Sequence, residues 1–203
     1  MTHVKDARTD HAIEPHLANR WSPYGFAGKD VATEDLLAIL EAARWAPSSY
    51  NEQPWRYILA RRADHEAFAK LLSCLVDANQ VWARHAPVLL IGVAMLNFAR
   101  NGKPNKAAQH DLGLAAGNLS VEATARGLAA HQMAGIIPER VRELYTLPED
   151  AEPLTAIAIG YPGDGGNLPE ELQARDSAPR SRRRLSEFVF ENAWDEPLRA
   201  DRV

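Results

Sequence analysis

The eight residues Val88-Leu89-Leu90-Ile91-Gly92-Val93-Ala94-Met95 carry no charge and are rich in branched side chains. A run of this length and composition reads as a β-strand buried on both faces. Even when extended to residues 86–96, it is far short of the roughly 20 apolar residues needed to span a bilayer. Such a strand lies centrally in a sheet, so the rest of the chain must cover it above and below.

The flanking sequence offers those covers. Leu36, Leu37, Leu40 and Ala43 recur at helical spacing behind Thr33, read as the N-cap, and Glu34 and Asp35 place negative charge in the first turn. That helix is expected to stop before Pro47. Residues 56–60 read as a short strand, and Phe68, Leu71, Leu72 and Leu75 mark one face of a second helix. Residues 107–128 are helical in pattern but rich in small residues, including Gly113, Ala116, Gly117 and Ala123. Small residues let a second backbone approach closely, which predicts a core or subunit-interface helix. Pro138 opens a short helix through Tyr145, and residues 154–160 form a further strand. Residues 97–106 read as a mobile polar loop, 161–179 as a surface linker, and 185–190 as strand-like alternation. Helices and strands interleave, which predicts one layered α/β or α+β domain over residues 20–190. Residues 1–19 are expected to be an extended or disordered arm and 191–203 a tail.

Charge and cysteine content remove several function classes. A net charge of -4 argues against a general nucleic-acid binder, which needs a basic surface. Cys74 is the single cysteine, so no internal disulfide forms and a reducing compartment, the cytoplasm, is expected. The first eight residues lack the apolar segment of a secretory signal, and no membrane span is expected. The histidines show no HExxH pairing, and His85, His110 and His131 read as surface or hydrogen-bonded residues, not metal ligands. Ser48 and Ser49 lack the G-x-S-x-G elbow of a hydrolase. Gly113 to Gly117 fall within a helix, and the glycines at 163–166 precede none, so no Rossmann fingerprint is present.

What remains is two kinds of polar cluster. Residues 45–55, Trp-Ala-Pro-Ser-Ser-Tyr-Asn-Glu-Gln-Pro-Trp, pack hydroxyls and amides between prolines, a loop suited to a flat polar ligand. Arg20-Trp21-Ser22 near one end of the chain and the arginines at 180 and 182–184 near the other are suited to an anion such as phosphate. A chain with these features and no proton-transfer or nucleophilic constellation fits cofactor chemistry.

The pieces Arg20-Trp21-Ser22, the loop at 46–55, Asn79-Gln80-Val81-Trp82 and Ile159-Gly160-Tyr161-Pro162 resemble, in order and spacing, the FMN-dependent nitroreductase family over residues 19–190. The resemblance implies an α+β fold, a mainly antiparallel sheet flanked by helices, with a long central helix at a homodimer interface. It implies that Arg20 and Ser22, together with Arg180 and Arg182, hold the FMN phosphate, that Pro47, Ser48, Ser49 and Asn51 approach from the partner chain, and that Trp21 and Gln53 also belong to the cofactor site. Asn79 would face the polar edge of the flavin ring, and the backbone near Ala134 and Gly135 its N5 atom, with no catalytic side chain required. NADH or NADPH would be the electron donor, and a nitroaromatic, quinone or related small molecule the acceptor, in ping-pong alternation. Tyr24 departs from the pattern, standing where a basic residue is usual. Two other readings compete: a flavin-dependent dehydrogenase of a heterocyclic substrate, and a flavin-binding protein without turnover.

Overall fold

The computed structural model describes residues 3–199; residues 1–2 of the arm and 200–203 of the tail lie outside the described residues. In chain order the elements are α1 (Pro15–Asn19), α2 (Thr33–Arg44), β1 (Trp55–Arg61), α3 (His65–Leu72), α4 (Asp77–Ala83), β2 (Val88–Met95), α5 (Ala108–Ala125), β3 (Ala129–Met133), α6 (Pro138–Tyr145), β4 (Ala151–Gly160) and α7 (Glu170–Ser177). The strands form one sheet in the order β1-β2-β4-β3, antiparallel at every pairing. The α+β class expected from the sequence is the class observed.

β2 lies between β1 and β4, and every residue from Val88 to Ala94 is buried. Its side chains alternate between two cores. Leu89, Ile91 and Val93 join Phe68, Leu71 and Trp82 from α3 and α4 on one face. Val88, Leu90 and Ala94 join Leu36 and Ile39 of α2 and Leu112 and Leu119 of α5 on the other. Each fully buried aliphatic side chain contributes roughly 1.5–3 kcal/mol, which is why this one run organises both layers.

α5 buries Ala108, Leu112, Ala115, Ala116, Leu119 and Ala123, a stripe at helical spacing, against the sheet and α2. Its opposite face is exposed at Gly113 and Gly117, where an added Cβ would meet nothing within 4 Å. Packing within the protomer therefore does not require glycine at those two positions.

Several expectations are corrected. Thr33 is the first helical residue of α2, Ala32 holds the cap position, and the Thr33 hydroxyl instead accepts from Arg61 Nη2 at 3.1 Å. α4 and the edge strand β3 lie in stretches without a clear apolar period. The stretch 161–179 contains α7, a helix with no buried residue, so no apolar stripe announced it. Residues 185–190 form a 3-10 turn at Leu185–Glu187 and an isolated bridge between Phe190 and Pro197, and pair with none of the four strands. Residues 97–106 close on themselves through an Asn97–Pro104 bridge and a 2.8 Å bond from Phe98 N–H to the Lys103 carbonyl. The arm carries α1 and is tied to the body, with Lys5 only 8% exposed.

Candidate functional site

The segment following α1 is held from several directions. Ala27 N–H donates to the Tyr161 carbonyl at 2.8 Å and Gly163 N–H to the Gly25 carbonyl at 3.0 Å, so residues 25–27 run beside the end of β4. A Cβ on Gly25 would come within 2.8 Å of Gly165 Cα, so only glycine allows this approach. Just upstream, Arg20 Nη1 lies 3.3 Å from the Ser22 hydroxyl oxygen.

Three guanidiniums gather here from opposite ends of the chain. Burial, and then the charge of Arg182, hold Arg20 below the usual arginine range; burial, Arg20 and Arg182 do the same to Arg180, with Asp6 opposing. None of the three is ion-paired with a carboxylate among the described residues. Cations that lack an ion-pair partner, Arg20 and Arg180 half-buried and Arg182 exposed, are suited to an anion. Their duties differ, however. Arg180 spends Nε and Nη2 on the carbonyls of Lys5 and Ala18, fastening the arm, whereas Arg182 bonds only the neighbouring Ser181 carbonyl, at 2.8 Å. Arg20, Arg180 and Arg182 line an open cleft of about 950 Å³ together with arm residues such as Arg8, Asp10 and Ile13. Trp21 is engaged by the arm, with Lys5 Nζ 5.5 Å and the His3 ring 5.3 Å from its ring centre.

Next to this segment lies an aromatic cluster. The His131 ring stacks on Trp82 at 4.3 Å and meets Tyr24 edge-on at 4.8 Å, while its Nδ1 lies 2.8 Å from the Pro23 carbonyl oxygen. Burial holds its pKa below the ordinary histidine range. A neutral ring donating through Nδ1 satisfies both observations. Tyr24, Asn79 and Trp82 border a smaller cavity of about 290 Å³, walled on the other side by Leu172 and Arg175 of α7.

Asn79 is fixed from behind. Its Nδ2 donates to the Gly135 carbonyl at 3.0 Å, which also accepts Val76 N–H at 3.1 Å. A side chain on Gly135 would overlap the Asn79 amide and come within 2.8 Å of Val76 Cγ2. Gln132 points elsewhere, its Nε2 bonding Ala116 O at 3.1 Å and Ser120 Oγ at 3.0 Å on α5, and Ala134 is exposed.

The loop between α2 and β1 forms a separate surface. Tyr50, Asn51 and Gln53 have φ of 54°, 56° and 54°, a left-handed conformation disfavoured by non-glycine residues. Three in four residues store strain of order 1–3 kcal/mol each, which is tolerated where surroundings enforce it. Here Gln53 N–H donates to Ser48 Oγ at 3.0 Å and Gln53 Nε2 to the Asn51 carbonyl at 3.0 Å. Ser49 N–H donates to Asp111 Oδ2 at 2.9 Å, and the Asp111 carboxylate, 2% exposed on α5, is the anchor that sequence reasoning missed. Its signal in the sequence is an acid that falls on the otherwise small and apolar buried stripe of α5. Pro47 and Asn51 stay exposed, as do the large side chains of Trp45 and Tyr50. No hydrogen bond joins this loop to residues 20–25, 79, 134–135 or 180–182 among the described residues. The expected site residues thus form two groups: Arg20, Ser22, Asn79, Gly135 and Arg182 with their neighbours in one, and residues 47–53 in the other.

Comparison with known proteins bears on this arrangement. A family model described as the nitroreductase family matches residues 17–161. An uncharacterized 15.4 kDa protein of Mycolicibacterium smegmatis is 34% identical over 153 residues, covering 70% of this chain and 99% of that protein. The NAD(P)H FMN reductase of Bacillus subtilis (strain 168) is 27% identical, covering 98% of this chain and 82% of the reductase. A crystal structure described as an oxidoreductase containing FMN superposes with a TM-score of 0.88 at 33% identity, covering 97% of this chain and 100% of that one.

Proposed function

The chain belongs to the nitroreductase family, and from that premise we propose that it is a homodimer passing reducing equivalents from a nicotinamide to nitroaromatic, quinone or related small acceptors. It is an NAD(P)H-dependent FMN oxidoreductase. The observation that carries the reading is the convergence of Arg20 and Arg182 from opposite ends of the chain on one cleft, with the Ser22 hydroxyl beside Arg20 and neither guanidinium ion-paired among the described residues.

The residues present suit FMN. Arg20, Ser22 and Arg182 offer donors for a phosphate dianion, and Arg180, with Nε and Nη2 engaged by the arm, adds positive charge beside them. The crowding at Gly135 leaves a backbone edge without a side chain, so the N–H groups of Ala134 and Gly135 serve the reacting edge of the ring. Asn79, locked by its bond to Gly135, presents its carboxamide oxygen to the ring's polar edge, with Tyr24 beside it. Pro47, Ser48, Ser49, Asn51 and Gln53, held in a strained and outward-facing loop, serve the partner's cleft, and Trp21 braces the phosphate segment through the arm. When bound, FMN supplies the hydride-accepting and hydride-releasing chemistry that the side chains lack. The protein contributes position, charge and exclusion of water.

In this reading residues 20–190 form the FMN-binding unit, donor and acceptor use the cleft in turn, and the protein works in the cytoplasm. No helix among the described residues is long and apolar enough to cross a membrane. The test is anaerobic spectroscopy. The purified protein should be yellow, bleach within turnover time on adding NADPH or NADH, and regain colour with a quinone or nitroaromatic, with parallel double-reciprocal plots. Flavin that bleaches with neither nicotinamide would refute the donor assignment, and converging plots would refute the alternation.

A further inference from the structure

The segment bearing Arg20 and Ser22 is pinned by charged groups, one of which, Asp176, has no part in the flavin reading. Asp176, in the last turn of α7, turns its carboxylate onto the backbone beyond Ser22. Its Oδ2 accepts Tyr24 N–H at 2.9 Å and Gly25 N–H at 2.8 Å, and Oδ1 lies 3.1 Å from Tyr24 N. On the near side, Arg180 grips the carbonyls of Ala18 and Lys5, and Lys5 Nζ donates to the Arg175 carbonyl at 2.5 Å. Arg20 and Ser22 therefore lie on a stretch fixed at both ends by residues 175–180, and Arg182 follows two positions later. α7 has no buried residue to dock it, so these charge-assisted bonds carry much of its attachment.

We infer that Asp176 is a positioning residue for the FMN phosphate, and that residues 176–182 act as one latch. Its Asp176 end sets the backbone that carries Arg20 and Ser22, and its Arg182 end meets the phosphate. The inference rests on the FMN reading and adds a specific consequence. The latch acts on the phosphate grip and not on the ring, so its loss reduces discrimination between FMN and riboflavin.

Full-length protein stripped of flavin is titrated with FMN and with riboflavin for the wild type, Asp176→Asn, Arg182→Ala and the double variant. Losing bonds to a charged acceptor predicts an FMN Kd raised about ten- to hundredfold in Asp176→Asn, with the riboflavin Kd within about twofold of wild type. In the Arg182→Ala background the effect of Asp176→Asn on FMN should shrink towards its effect on riboflavin, since no phosphate grip remains to be positioned. Equal losses for both ligands would make Asp176 a support of the fold alone and overturn the inference, as would an unchanged FMN Kd. A wild type that holds riboflavin as tightly as FMN would instead remove the phosphate reading, and the latch with it. Should Asp176→Asn fail to fold, amide exchange in the wild type decides: FMN, but not riboflavin, should slow exchange at Tyr24 and Gly25, and equal protection by both would refute the latch.

Discussion

Adding one methyl group at Gly135 should unsettle the centre of the proposed site, and the structure allows the effect to be sized. In Gly135→Ala the new Cβ would overlap the Asn79 side-chain amide and approach Val76 Cγ2 to 2.8 Å. Both neighbours come from the turn entering α4, and both are already bonded to the Gly135 carbonyl, through Asn79 Nδ2 at 3.0 Å and Val76 N–H at 3.1 Å. Relief of the overlap requires Asn79 to swing away or the 134–136 backbone to shift, and either movement breaks at least one of these bonds. Overpacking costs about 1–3 kcal/mol and a lost hydrogen bond about 1 kcal/mol, so the variant should be destabilised by about 2–4 kcal/mol. For a chain of this size that is a fall in Tm of roughly 5–15 °C. Urea unfolding of flavin-stripped protein measures it without interference from ligand linkage. The variant Asn79→Ala removes the first obstacle, so Gly135→Ala should be milder in that background by about 1 kcal/mol or more. A Gly135→Ala protein within about 0.5 kcal/mol of wild type, or strictly additive effects in the double variant, would show that the site is looser than the contacts imply.

Other perturbations test other parts. Gly117→Trp adds bulk to the exposed face of α5, where an added Cβ meets nothing within the protomer; it should leave the monomer folded but abolish the dimer and release flavin, as read by light scattering and flavin content. A stable monomer holding FMN at full strength would refute the assignment of residues 47–53 to the partner's site. Tyr24→Lys places a cation beside the expected ring edge and should raise the FMN midpoint potential by about 30 mV, the two-electron equivalent of about 1.4 kcal/mol, so equal potentials would refute that placement. Stability should also fall with acidification. Burial depresses the pKa of His131, against the pull of the Pro23 carbonyl and Asp176, while Arg20 adds to the depression, and His85 shifts the same way. The unfolded chain therefore binds protons at a pH where the folded protein does not; stability is lost as pH drops through the ordinary histidine range and the loss levels off below the folded pKa. His131→Gln should flatten the dependence of Tm on pH between about 8 and 5, and an unchanged slope would discount His131 as its source.

Much of this architecture is local in origin and therefore legible along the chain. β2 was evident because a strand buried on both faces needs apolar residues at every position, and α5 because its small residues recur with the helical period. The family motifs identified Arg20, Ser22 and the loop at 47–53 because a tight polar loop needs particular residue types in a fixed order. Elements held by polar contacts left no such trace. β3 reads Ala-Ala-His-Gln-Met, and α7 contributes only the half-buried Leu172 to the core, so neither has a hydrophobic pattern to detect.

The layered fold, the family and the residue types at the proposed flavin cleft could be read along the chain, since these follow from side-chain period and short-range order. How like residues divide their work emerges from packing alone. Arg180 and Arg182 are two positions apart and chemically identical, yet one fastens the arm through the Lys5 and Ala18 carbonyls while the other bonds only the neighbouring Ser181 carbonyl. Asp111 and Asp176 are ordinary acids in the sequence, and they become anchors because Ser49, Tyr24 and Gly25, distant along the chain, bring their backbone N–H groups to them. A hydrogen bond depends on positions in space, and contacts between residues 62 or 151 places apart are fixed only when the whole chain has packed.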